Sequence, residues 1–186
     1  MFKKLTAILS ILLLLFCLAG CSGDYEVTDG SQEDYKLFRS TPLGFAMEFP
    51  DYWTHAIDKD SAMVSFITPA EGYSDEYIDN VTVVRLEGEE SYNDFAKNHR
   101  TQLEKDLLNY KLVSEKNCKI GGEDGYQIVY ESSTDDKENP TQMRFLQIIT
   151  KKGDYIYMIS FIADFSSYSY FLTHFNKMID TFEFVE

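Results

Sequence analysis

An α+β fold, in which an antiparallel β-sheet is covered by helices on both faces, is the class this 186-residue sequence predicts. Three observations carry it. Short apolar runs with strand character recur between residues 43 and 162, two amphipathic helical segments interrupt and close the series, and the two longest runs are apolar on both faces. A sheet with one solvated face alternates apolar and polar residues. A sheet apolar on both sides needs cover on both, and the helices supply it as an α/β/α sandwich.

The chain opens with Lys3-Lys4, an apolar stretch over residues 5–18, and then Ala19-Gly20-Cys21. A basic start, an apolar middle and a small-residue exit are the three parts of a secretory signal. The stretch has about 14 residues, whereas a helix needs roughly 20 to cross a bilayer. A cysteine directly after Leu-Ala-Gly resembles the lipobox of bacterial lipoproteins. That resemblance implies a signal peptide at residues 1–20 and a diacylated Cys21 as the new N-terminus. Two acyl chains hold stably where one holds marginally, at about 0.8 kcal/mol per buried methylene. The implied first partner is therefore membrane lipid, and the implied location is the extracytoplasmic face of the cell membrane.

Residues 22–34, "SGDYEVTDGSQED", carry five acids, no base and few large apolar groups, a composition typical of disorder. With Cys21 they make a tether over residues 21–35, whose r.m.s. reach is roughly 20 Å. One globular domain is expected over residues 36–186. In "LGFAMEF", Leu43, Phe45, Met47 and Phe49 alternate with Gly44, Ala46 and Glu48, which predicts a strand closed by Pro50. Strands follow at 63–67 and 80–86, joined by an acidic loop at 70–79. Ser91 and Asp94 form a capping box for a helix whose apolar stripe is Tyr92, Phe95, His99, Leu103 and Leu107.

Beyond that helix, residues 110–120 read as a strand, "GGEDG" at 121–125 as a turn, and 126–131 as the next strand. Two long runs at 142–150 and 154–162 form a hairpin about Lys152-Gly153. One face is expected to carry Met143, Phe145, Ile149, Tyr155, Tyr157, Ile159 and Phe161, the other Leu146, Ile148, Ile156, Met158 and Ile162. A closing helix over 167–181 presents Tyr168, Phe171, Leu172, Phe175, Met178, Ile179 and Phe182.

The formal net charge is −14, from 17 Lys and Arg against 31 Asp and Glu, and the leader holds two of the bases. A polyanion of this size lacks the cations that neutralise phosphates, so nucleic acid is excluded as a partner. Of three cysteines, Cys17 leaves with the leader and Cys21 is acylated, so Cys118 has no intrachain partner. The mature chain must be held by its core alone. About 165 residues suffice for one domain burying about two-thirds of its unfolded surface.

The segments "FRSTPLGFAMEFPDYW", "IGGEDGYQIVY" and "GDYIYMISFIAD" resemble the PsbP-like, or Mog1/PsbP/DcrB, family of small domains. The matching positions are Gly44-Phe45, Phe49-Pro50, Trp53, and the strand residues Tyr126, Ile128 and Tyr130. The resemblance spans residues 36–185 and implies the α/β/α fold and a non-catalytic accessory or interaction module. It transfers no binding residue.

His55, His99 and His174 form no zinc spacing. His99 lies on an apolar stripe and reads as a hydrogen-bonded core residue. Cys118 reads as a small buried hydrophobe, because nothing nearby in sequence activates it. No nucleophile elbow, phosphate loop or calcium loop is present, and no cofactor is expected. Tyr52, Trp53 and Tyr73 are candidates for a recognition surface, with Trp53 read foremost as a core plug. Two acidic loops are the expected partner contacts: Asp75, Glu76 and Asp79 in one, and Asp135, Asp136 and Glu138 in the other. The expectation is a lipid-anchored, non-enzymatic module for an envelope protein complex. Alternatives are a lipoprotein that binds a small ligand or divalent cation for transport, and an envelope hydrolase.

Overall fold

The computed structural model describes residues 25–70, 79–134 and 140–186. Among the described residues eleven strands and two helices follow in the order β1 (Glu26–Asp29), β2 (Tyr35–Ser40), β3 (Phe45–Pro50), β4 (Thr54–Asp58), β5 (Met63–Ile67), β6 (Asn80–Glu87), α1 (Tyr92–Asp106), β7 (Lys111–Ile120), β8 (Glu123–Ser133), β9 (Gln142–Lys152), β10 (Tyr155–Asp164), α2 (Tyr168–Asp180) and β11 (Glu183–Phe184). A seven-stranded sheet runs β4-β5-β6-β10-β9-β8-β7, and a four-stranded sheet runs β1-β2-β3-β11. Every strand pair is antiparallel. Among the described residues no helix is long and apolar enough to cross a membrane.

The large sheet is apolar on both faces, and alternate residues of β10 show why. Tyr157, Ile159, Phe161 and Ala163 join the main core with α2 and the small sheet, while Ile156 and Met158 pack under α1. The fold is α+β with a helix on each side, as expected, but one of the two covering layers is half sheet. Face membership across the β9–β10 hairpin differs from the expected sets. A two-residue turn pairs residues of opposite parity, so Ile149 faces Met158 and Ile148 faces Ile159. The turn itself is Gly153-Asp154, with Gly153 at φ 59°. Odd positions of β9 therefore share α1's side with even positions of β10.

The N-terminal boundary also differs. Residues expected in the tether form β1, which pairs with β2 from Glu26↔Arg39 to Asp29↔Lys36. Its anchor is Glu48, expected on a polar strand face but buried in β3. The Glu48 carboxylate accepts from the backbone N–H of Ser31 at 2.5 Å and of Gln32 at 3.3 Å. Composition alone missed this because the apolar partners of a short acidic strand lie elsewhere in the chain.

Gly44 shows what the close approach of the two layers demands. Its φ is +75°, and a Cβ there would collide with the Tyr157 hydroxyl. In "GGEDG", Gly121 and Gly122 alone make the turn, both at positive φ, while Glu123, Asp124 and Gly125 begin β8. Helix α1 starts as read, with the Ser91 hydroxyl accepting from the Asp94 N–H. At the edge strand β7 a register shift between Leu112 and Ser114 and the lysines at 111, 116 and 119 discourage pairing with another chain.

Candidate functional site

Where β3 ends, Pro50 stops the strand and the Trp53 N–H closes a turn on the Pro50 carbonyl at 3.0 Å. The turn sends neighbouring side chains opposite ways. Trp53 is 4% exposed against Phe171 and His174, while Tyr52 beside it is 45% exposed. On α2, Phe171, Phe175 and Met178 face the core. Tyr170, His174 and Lys177 follow at four- and three-residue steps along the helix edge. Tyr35, opposite Pro50 in the β2–β3 register, completes the group from below.

His174 stands at the centre. Its Nδ1 is 2.8 Å from the Tyr35 hydroxyl, and its Nε2 is 3.1 Å from the Tyr52 hydroxyl. Burial lowers its pKa, and Lys177 lowers it further, so the ring is neutral at pH 7. A neutral imidazole donates from one nitrogen and accepts at the other. Tyr35 is 6% exposed, and burial pushes its phenol up to about 12. If His174 donated to Tyr35, that phenol's hydrogen would be buried without an acceptor, at a cost of about 1–3 kcal/mol. Tyr35 therefore donates to Nδ1, and Nε2–H donates to the Tyr52 oxygen.

Tyr170, 61% exposed, forms the outer wall, with its ring centroid 5.6 Å from that of His174. Lys177 Nζ sits 5.3 Å from the Tyr35 ring centroid. The result is an aromatic rim whose apolar faces and hydrogen-bonding groups reach solvent together. It holds no nucleophile beside a base, and its histidine is engaged by phenols on both nitrogens.

The other expected positions are distributed differently. Cys21, Asp75, Glu76, Asp135, Asp136, Glu138 and Tyr73 lie outside the described residues. Asp79, expected in an exposed acidic loop, is 4% exposed, and its Oδ1 accepts from the Asp164 N–H at 3.1 Å while Thr68 donates to its backbone carbonyl. It ties the start of β6 to the end of β10. His99 is a core residue as read, its Nε2 2.8 Å from Gln147 Oε1. His55 packs among Tyr25, Phe38 and Phe49, and burial and Lys36 lower its pKa. Cys118 is half-buried, and burial raises its thiol pKa, which disfavours the reactive thiolate. Among the described residues no group of three or more His, Cys, Asp and Glu is placed to hold a metal ion.

Tyr52 and Trp53 were legible as surface candidates, but Tyr35, Tyr170, His174 and Lys177 were not. Separations of 139 and 122 residues divide His174 from its two phenol partners. The one local signal was a polar and aromatic edge at 170, 174 and 177 beside an apolar helical stripe.

Several solved structures share the fold. The solution structure of cyanobacterial PsbP (CyanoP) from Synechocystis sp. PCC 6803 superposes with a TM-score of 0.59 at 14% identity, covering 90% of this chain and 98% of that one. LpqN of Mycobacterium tuberculosis, described as involved in cell envelope biogenesis, gives 0.55 at 12% identity, covering 76% and 83%. The Saccharomyces cerevisiae Ran-binding protein Mog1p gives 0.55 at 12% identity, covering 77% and 91%. No curated protein matches the chain significantly in sequence. At these identities the structures establish the fold alone, and the family rests on the match of the PsbP-like protein model to residues 24–184, nearly all of the chain after its apolar N-terminal stretch: the protein belongs to the PsbP-like family.

Proposed function

We propose that this PsbP-like protein is a lipid-anchored, extracytoplasmic binding module that serves an envelope protein complex, and that the aromatic rim around His174 is its contact surface. The observation that carries the reading is the pairing of Tyr52 and Tyr170, both exposed, with Trp53 and His174 beneath them. Exposed aromatic side chains on a buried, hydrogen-bonded base are the usual anchors of protein interfaces. The leader and Cys21 supply the membrane attachment, by resemblance to the lipobox. The description of LpqN as involved in cell envelope biogenesis agrees with the setting. The absence of a nucleophile and base pair at the rim favours binding over turnover.

The test compares the wild-type chain with Cys21→Ala and with the double variant Tyr52→Ala/Tyr170→Ala in cells. Metabolic fatty-acid labelling is expected in the wild type and the double variant and is lost in Cys21→Ala. Chemical cross-linking in membranes is expected to recover a partner with the wild type and to lose it with the double variant. Labelling that persists without Cys21 removes the anchor from the proposal. Partner recovery that is unchanged in the double variant removes the rim.

A further inference from the structure

The chain enters the fold at one end of the molecule, and the rim lies at the other. Glu26, the first residue of β1, stands in a row that crosses the small sheet through Arg39 and Ala46 to Glu183. Arg39 ties the row together, its guanidinium 3.9 Å from the Glu26 carboxylate and 2.8 Å from that of Glu183. One step further on is the turn at 41–44, where Gly44 lies against the Tyr157 hydroxyl of β10. Beside it Lys152 Nζ, at the end of β9, is 5.6 Å from the centroid of the Phe184 ring. Both sheets therefore share this end. The rim belongs to the opposite one. There Tyr35 pairs with Pro50, the Asp51 N–H donates to the Asp34 carbonyl at 2.9 Å, and α2 carries Tyr170 and His174 in the turns that follow the end of β10. The six residues of β3 run from one end to the other, about 20 Å at roughly 3.3 Å each.

The order of β1 shortens the link to Cys21. Tyr25 stacks on Phe38 with centroids 5.7 Å apart, and β1 pairs with β2 along its whole length. Only residues 22–24 separate Tyr25 from Cys21, and those four residue steps reach at most about 14 Å. A flexible tether as far as residue 35 would leave the domain free to turn over, and so short a link holds the Glu26 row beside the anchor. Charge then decides which side rests on lipid. The lateral edge made by β1 and the turn after it exposes Asp29, Glu33 and Asp34, which an anionic headgroup surface repels within a screening length of roughly 8 Å. The turn at 41–44, Thr-Pro-Leu-Gly, carries no charge. We propose that the protein stands on the membrane on the end formed by the start of β1 and the turn at 41–44, with lipid headgroups against that turn and the rim held away from the bilayer. The assignment rests on the reading of Cys21 as the lipid anchor. The partner that the rim meets is then a protein domain that projects from the membrane, and not a segment embedded in it.

The test reconstitutes the full chain, purified from membranes in a Cys118→Ala background, into phosphatidylglycerol-containing vesicles whose headgroups carry a nitroxide, a quencher that acts only near contact. A fluorophore is attached at Thr41→Cys or at Asp51→Cys, exposed positions just before and just after β3, in variants whose circular dichroism matches the wild type. The probe at 41 is expected to lose most of its emission and the probe at 51 to keep it. A Gly-Ser insert of about 15 residues before Tyr25, with an r.m.s. reach of roughly 20 Å, is expected to relieve the quenching at 41. Equal quenching at the two positions, stronger quenching at 51, none at 41, or quenching at 41 that survives the insert overturns the proposal. Mass spectrometry of the same preparation separates this failure from that of the anchor. A chain without acyl groups on Cys21 removes both, whereas an acylated chain with the wrong pattern of quenching removes the orientation alone.

Discussion

His99 and His174 are the same side chain, each carried by an amphipathic helix onto a sheet, and they end in opposite circumstances. His99 sits mid-helix on α1 above the centre of the large sheet, where Gln147 receives its N–H and donates in turn to Ser160. Ala96 and Leu103 close the seam one turn to either side. His174 sits on the border of α2's buried face, beside a turn that ends β3, and its partners are the buried Tyr35 phenol and the Tyr52 phenol, which reaches solvent. The contrast teaches that neither the helix nor the histidine decides the role. A polar group in a seam becomes a structural clamp when its neighbours are sealed, and stays within reach of solvent when one of them opens outward.

The largest expected effect separates buried from rim positions within α2. Phe175→Ala removes a side chain that stacks on Phe161 at 5.3 Å in the main core, and should cost about 3–5 kcal/mol. Urea unfolding followed by Trp53 fluorescence reads it. A cost under about 1 kcal/mol would mean that α2 contributes little to the core, and the contrast with the rim would lose its basis.

Next comes the clamp itself. Gln147→Leu keeps volume but strands the His99 N–H and the Ser160 hydroxyl in a sealed seam, and should cost about 1–3 kcal/mol. On the outer side of His174 the partner Tyr52 is exposed, and Tyr52→Phe should leave unfolding within about 0.5 kcal/mol of wild type. If the two substitutions cost the same, sealing is not what distinguishes the sites.

A smaller effect is the dependence on acidity. Burial lowers the pKa of His99 in the folded protein, while the unfolded chain titrates at the ordinary 6.5. Above 6.5 the ring is neutral in both states and its full contribution is present. As pH falls below 6.5 the unfolded chain gains a proton that the folded chain refuses, so stability declines until the folded pKa is passed. His174 shifts the same way by burial and Lys177 but keeps partial access to water. Urea midpoints between pH 7.5 and 5 should therefore flatten more in His99→Gln than in His174→Gln. Equal slopes in wild type and His99→Gln would assign the acid sensitivity elsewhere, with His55 the next candidate.

The smallest stability effect belongs to Tyr170→Ala, whose side chain is mostly in solvent; unfolding should move by less than about 0.5 kcal/mol. Partner recovery should nonetheless fall. A large loss of stability would recast Tyr170 as a packing residue and weaken the comparison from its outer side.

The amino-acid sequence by itself determined most of the elements and their class. Local rules suffice for these: the Ser91 cap, the 3.6-residue stripes of both helices, and the period-2 pattern of residues 43–49 act between residues close in the chain. It also placed His99 and Trp53 inside, because an apolar neighbourhood at the right period leaves few other places for them. What only the tertiary structure decided depends on pairs far apart. The turn that leads from β1 into β2 is held by Glu48, reached across the β2–β3 turn. The parity of the β9–β10 faces follows from the turn that registers them. Asp79 is drawn inward by a backbone N–H 85 residues away. The rim assembles one side chain from β2, two from the β3–β4 turn and three from α2, and no local pattern in any segment announces the others, because hydrogen-bond complementarity between distant segments exists only once the core has brought them together.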